Sequence, residues 1–178
     1  MRAFICVEIS DEARNEILNV ISELKKSGLI NANYVSGENL HLTLKFFGEI
    51  PDEKVEEIKK KLETIKMKRF EAEFGKLGYF TEKFIRVLWI GIESKGLNEL
   101  NNKIEKLFGK EEREFNGHIT FARVKSIKDK KNFKEFFGKL SVKPFKFNIN
   151  QVVLKKSELT PKGPIYSDAF VKELKWGI

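Results

Sequence analysis

His41 stands eleven positions before Asp52, His118 stands eleven positions before Asp129, and the 178-residue chain has no other histidine. In both places the histidine begins a strand-like run and the aspartate opens a helix-like one. The whole order of elements shares this register: strand, helix, strand headed by histidine, helix, strand, and then the same again from about Phe84. Such a repeat predicts two copies of one unit related by a pseudo-twofold axis. No run rich in Pro, Gly or Ser separates the copies, so the expectation is one bilobal domain over residues 1–178.

Helix signals fall at four places. Ser10 or Asp11 caps a helix that carries Ala13, Ile17, Val20, Ile21 and Leu24 on one face and ends at Gly28. A second follows Pro51, with Asp52 and Glu53 in its first turn and Val55, Ile58, Leu62 and Ile65 as its apolar stripe. A third runs from about Leu97 to Phe108 on Leu97, Leu100, Ile104 and Leu107, and a fourth from about Asp129 to Leu140 on Phe133, Phe136, Phe137 and Leu140. Strands are predicted over Arg2 to Ile9, Leu40 to Phe47, Phe70 to Leu77, Phe84 to Ile92, Gly117 to Val124, Phe145 to Leu154 and Ser167 to Leu174. Pro161 to Tyr166 reads as a turn, with no chemistry assigned to it.

A chain of this length buries roughly 70% of its unfolded surface. With 41% hydrophobic residues, 16 Phe among them, it has the means for a core, which excludes the disordered and fibrous classes. No apolar run reaches the length of a membrane span, and the opening Arg2 to Val7 is too short for a signal peptide, so a soluble, cytoplasmic protein is expected. The one cysteine, Cys6, lies in an apolar run and reads as a small core residue, which leaves no internal disulfide. Thirty-four basic against 26 acidic side chains leave a net charge of +8, which favours a polyanion, nucleic acid foremost. The same composition has a second reading, because many lysines and a single glutamine (Gln151) also mark heat-adapted proteins.

The two histidines sit in matching settings, His41-Leu42-Thr43-Leu44 and His118-Ile119-Thr120-Phe121. With so few threonines in the chain, chance would place one two residues after both histidines only on the order of one time in a thousand. Period 2 on a strand puts His41 with Thr43, and His118 with Thr120, on one face and the apolar neighbours on the other. One such pair is a common polar patch on a half-exposed strand. Two, brought together by a pseudo-twofold axis, surround one cleft with two imidazoles and two hydroxyls. Phosphodiester cleavage without a metal requires this set: one imidazole takes a proton, the other gives one, and the hydroxyls donate to the phosphoryl oxygens. Metal chemistry finds no His-x-His or His-Glu-x-x-His spacing, and nucleoside triphosphate chemistry finds no phosphate-binding loop, so no cofactor is expected.

These residues resemble the 2H phosphoesterases, named for two His-x-Thr-x motifs, and within them the bacterial and archaeal RNA 2′,3′-cyclic phosphodiesterases once called 2′-5′ RNA ligases. The likeness runs through MRAFICVEI, ENLHLTLKFFGEI, RVLWIGIE, HITFARV and SELTPKGPIY, nearly the length of the chain. It implies a two-lobed α+β fold in which antiparallel sheets face a central cleft with helices outside, and a chain that starts in one lobe, crosses to the other and returns. It implies His41 as general acid, His118 as general base, and Thr43 and Thr120 as phosphate-binding groups. The implied reaction opens a 2′,3′-cyclic phosphate on RNA ends, tRNA-like fragments among them, to a 2′-phosphate, and in reverse joins RNA through a 2′-5′ bond; the protein would act as a monomer. Two other readings stand beside it: a non-catalytic RNA-binding protein, and a related phosphodiesterase for another cyclic or 2′-5′ linked nucleotide.

Arg123 matches the family's arginine after the second motif and would clamp phosphate or a nucleotide. Strict alternation puts it on the face opposite His118, so either a bulge or the strand's end turns it round, or it is a surface residue. Lys45 falls on the His41 face, as a cleft cation or a solvated strand-end lysine, and Tyr79 and Phe80 are candidate base-stacking rings or core packing. Gly117 stands where many relatives carry Pro, which predicts a looser lead into the second motif.

Overall fold

The computed structural model describes residues 1–176. In chain order its elements are β1 (Arg2–Glu8), α1 (Asp11–Ser27), β2 (Ile30–Tyr34), β3 (His41–Glu49), α2 (Asp52–Glu63), β4 (Phe70–Tyr79), β5 (Val87–Glu93), α3 (Lys95–Phe108), β6 (His118–Ile127), α4 (Lys130–Lys139), β7 (Lys146–Ile149), β8 (Gln151–Thr160) and β9 (Gly163–Glu173). Three of the four helices form where a side-chain cap and apolar spacing agree, and α2 follows Pro51 on its apolar spacing and its acidic first turn. Ser10 accepts from the Ala13 N–H and Gly28 closes α1 in the left-handed region at φ 64°, while Ala13, Ile17, Val20, Ile21 and Leu24 are its buried face, as the spacing predicts. Ser94 and Asp129 cap α3 and α4 in the same way, the latter through its Oδ1 on the Asn132 N–H at 3.1 Å.

Two antiparallel sheets result, one in the order β3-β1-β8-β9 and one in the order β2-β6-β5-β4-β7. The orders correspond strand for strand, β3 with β6, β1 with β5, β8 with β4 and β9 with β7, and β2 is added at the outer edge of β6. The pseudo-symmetric units therefore exchange their last strands. β4, from the first half, lies in the second sheet, and β8, from the second half, lies beside β1. This is the crossing and returning chain that the resemblance implies. The motif strands β3 and β6 lie against each other where the two sheets meet.

One core cluster joins both sheets and all four helices, with Ile5, Leu42, Leu88, Ile119, Phe121 and Phe133 at 0–1% exposure. Truncating a ring such as Phe121 to alanine costs about 3–5 kcal/mol. The strand readings differ from the structure at three places. β2 went unread because Asn31 and Asn33 are poor strand formers, and it exists through its pairing with β6. The run from Phe145 to Leu154 breaks at Asn150 into β7 and β8, in different sheets, since apolar residues on both sides of the crossing look continuous in sequence. The turn at Pro161 is shorter than predicted: Gly163, at φ 115°, already begins β9, so Tyr166 is a strand residue.

Candidate active site

β3 presents His41 and Thr43 on the face opposite the buried Leu42 and Leu44, as period 2 requires. The His41 Nδ1–H donates to the Asn39 carbonyl at 2.6 Å, and Nε2 lies 3.0 Å from Thr43 Oγ1. On β6 the arrangement recurs. The His118 Nδ1–H donates to the Asn116 carbonyl at 2.6 Å, again two residues upstream. A carbonyl only accepts, so in both rings it fixes the neutral tautomer with the proton on Nδ1 and leaves Nε2 as the basic atom.

The strand register settles the position of Arg123. β5 and β6 pair Trp89 with Thr120 and Leu88 with Ala122, so Phe121 is the extra residue of a β-bulge. Phe121 and Ala122 both enter the core at 0% exposure, and Arg123 comes out on the face of His118 and Thr120. A bulge acts in the opposite sense on β3. Leu44 is the extra residue there, and Lys45 falls opposite the core residue Ile5 instead of continuing the His41 face. Its Nζ lies 2.6 Å from Glu111 and donates to the Gly109 carbonyl at 3.3 Å, so Lys45 is neither a cleft cation nor a solvated end. Gly117 is also a correction, because the lead into β6 is tight: a Cβ there would stand 2.8 Å from Leu97 and 3.0 Å from the Ile92 carbonyl.

Aromatic rings enclose each imidazole. Phe4 and Tyr166 lie 4.9 and 5.3 Å from the His41 ring, and Phe80 and Trp89 lie 5.0 and 6.0 Å from the His118 ring. Phe80 is thus at the site, half exposed, whereas Tyr79 packs on Phe137 of α4. Beside His41, Lys155 is buried between Glu8 and Asp168, 2.7 Å from each. Burial pulls the Lys155 pKa down, yet its hydrogen bonds to Asp168 and Glu8 outweigh burial and hold it raised. Burial, together with the Lys155 charge, pushes His41 below its ordinary 6.5, against the Asn39 carbonyl and the Glu8 carboxylate. Burial raises the Tyr166 hydroxyl, opposed by the charges of Arg123, Arg2 and Lys155. Among the described residues neither Arg2 nor Arg123 has an ion-pair partner. Cys6 is fully buried with Phe4 and Val153 under this face, where burial drives its thiol far up, as a small core residue would have it.

Sequence reasoning missed Phe4, Arg2, Tyr166 and Lys155. The first two were within reach, because Arg2, Phe4, Cys6 and Glu8 alternate with Ala3, Ile5 and Val7. Tyr166 and Lys155 were not, since only the β8–β9 pairing beside β1 brings them to His41.

Two imidazoles whose Nε2 atoms are left free by their carbonyl anchors, two threonine hydroxyls, and Arg123 without an acidic partner among the described residues are groups able to bind an anion and to exchange protons with it. The sequence profile described as LigT like phosphoesterase matches twice, over residues 7–89 and 90–166, once for each copy of the repeat. The RNA 2′,3′-cyclic phosphodiesterase of Archaeoglobus fulgidus is 35% identical over 97% of this chain and 100% of that protein, and that of Methanocaldococcus jannaschii is 36% identical over 93% and 96%. Among solved structures, the TT0787 protein of Thermus thermophilus aligns over 99% of both chains at a TM-score of 0.80 and 27% identity. The apo form of E. coli LigT, 22% identical, shares the fold at a TM-score of 0.77 over 97% of this chain and 96% of its own. This chain belongs to the LigT like phosphoesterase family.

Proposed function

We propose that the protein is an RNA 2′,3′-cyclic phosphodiesterase, acting as a monomer and as one bilobal domain over residues 1–178, that opens a terminal cyclic phosphate to a 2′-phosphate without a metal. The activity is the one its relatives carry in their names. The observation that carries the mechanism is the twin fixing of Nδ1–H on the Asn39 and Asn116 carbonyls, which leaves two Nε2 atoms for proton transfer. Water attacks phosphorus as His118 Nε2 takes its proton. The bond from phosphorus to the 3′ oxygen breaks, and protonated His41 gives that oxygen the proton from Nε2. The products are a 2′-phosphate and a free 3′-hydroxyl, and the histidines exchange protons with solvent to reset. Thr43, Thr120 and Arg123 hold the non-bridging oxygens as charge builds on them. A 5′-hydroxyl in the place of water gives a 2′-5′ linkage by the same steps. The low pKa of His41 suits an acid that must part with its proton, and a bound phosphate supplies the negative charge that loads it.

The test is RNA ending in a 2′,3′-cyclic phosphate, incubated with the protein in excess chelator, with the product phosphate mapped to the 2′ or 3′ position. A 2′-phosphate at undiminished rate is expected. Turnover that disappears in chelator and returns with zinc or manganese overturns the two-histidine mechanism in favour of a metal-assisted one.

A further inference from the structure

We infer that the groove between β4 and α4 is an RNA subsite that holds the nucleotide preceding the cyclic phosphate end. The inference rests on the function proposed for the two histidines. β7 pairs with β4 only over Phe70 to Glu73, so the later part of β4, Lys76 to Tyr79, has no strand on that side. Along this open stretch runs a groove of about 610 Å³, closed on its far wall by Phe137 and Gly138 of α4. That is the size of a small-molecule site.

One end of the groove is formed by Phe80 and Trp89, the rings that enclose His118. The other end reaches Gly75, and because strand residues advance about 3.3 Å each, it lies on the order of 16 Å along β4 from Phe80. The groove is thus continuous with the site but leads away from the reacting phosphate, and what fills it is the chain attached to that phosphate. Its chemistry fits a nucleotide. A Cβ on Gly78 would stand 2.5 Å from the Trp89 indole, so the glycine lets the indole lie flat across β4, and Phe80 tilts beside it at 5.2 Å with 51% of its surface exposed. The Trp89 Nε1–H is buried with no acceptor among the described residues. Lys76 and Lys134 line the groove, and among the described residues neither is in an ion pair; Glu82 is its one acidic lining residue. Aromatic faces with nearby free cations are how single-stranded nucleic acid is held without regard to sequence.

The experiment compares a 2′,3′-cyclic mononucleotide with a trinucleotide ending in the same cyclic phosphate, in wild type, Gly138→Trp and the double variant Lys76→Glu/Lys134→Glu. No atom lies within 4 Å of a Cβ built on Gly138, and tryptophan has a higher helix propensity than glycine, so Gly138→Trp fills the groove without straining the fold. Wild type is expected to prefer the trinucleotide. Both variants raise the trinucleotide KM by roughly 10-fold with kcat retained, and leave mononucleotide turnover within about 2-fold. Equal kcat/KM for the two substrates in wild type, or variants that depress both alike, overturns the subsite while the catalytic reading stands. A wild type that turns over neither substrate overturns the catalytic reading and the subsite with it.

Discussion

Each histidine is held by one backbone carbonyl, and the two differ in what surrounds them. His41 has Phe4 and Tyr166 against its ring, and burial together with the nearby Lys155 charge opposes its charged form. A histidine kept below its ordinary 6.5 binds fewer protons in the folded chain than in the unfolded one between those two values. Its contribution to stability is therefore complete above 6.5 and is lost as pH falls through the folded-state value. Urea midpoints should hold steady above about pH 7 and decline on acidification below 6.5, with the decline flatter in His41→Asn. An unchanged slope in that variant would assign the decline to other groups. For catalysis, His41→Ala and His118→Ala should each lower kcat/KM by roughly 100-fold to 10,000-fold, with the double variant little worse than the weaker single one, because the pair acts as a unit. Thr43→Val and Thr120→Val should cost roughly 10-fold to 1,000-fold with circular dichroism unchanged. Full activity in either histidine variant would exclude acid–base catalysis by the pair.

At the scale of elements, the site depends on how two strands break their own alternation. A regular β6 would aim Arg123 into the core side; the bulge at Phe121 spends an extra residue there and returns Arg123 to the histidine face. The lead into the same strand is packed so closely that Gly117→Ala should destabilise the protein by about 1–3 kcal/mol through its contacts with the Ile92 carbonyl and Leu97. It should also slow catalysis, because His118 is the next residue. A melting temperature and kcat equal to wild type would mean that α3 yields freely. The helices and most strands were legible in sequence because capping residues and apolar periods agreed, as in α1 and α4. The His-Thr faces were legible for the same reason. The bulges were not, since an inserted residue leaves the composition of the strand unchanged and declares itself only through the partner strand, and that is why Lys45 was misplaced and Arg123 left open. The hairpin of β8 and β9 escaped for a different reason: Tyr166 meets His41 only because the last strands of the two units are exchanged.

For the molecule as a whole, the question is what its net charge of +8 is for. Part of the lysine content is taken up in surface ion pairs. On α2, Lys54 and Lys61 both lie 2.8 Å from Glu57, whose carboxyl their hydrogen bonds hold down at about 2, and Lys59 lies 2.8 Å from Glu56. Around the cleft the pattern changes. Arg2 and Arg123 stand without acidic partners among the described residues, as do Lys76 and Lys134 along the groove beside His118. Salt separates the two readings of the composition. Every phosphate neutralised by such a cation releases counterions, so the logarithm of RNA affinity should fall with the logarithm of salt by roughly 0.7 per phosphate contact on a single strand. Titrated from about 50 to 200 mM salt, affinity for a cyclic phosphate-ended RNA oligomer should drop steeply, while hydrolysis of a cyclic mononucleotide, which meets only the arginines at the histidines, should change far less. Reversing Lys76 and Lys134 to Glu should lower the slope for the oligomer, whereas reversing Lys54 and Lys59 on α2 should leave it unchanged. Equal salt dependence for oligomer and mononucleotide would mean that the unpaired cations do not touch RNA, and that the positive charge belongs to stability alone.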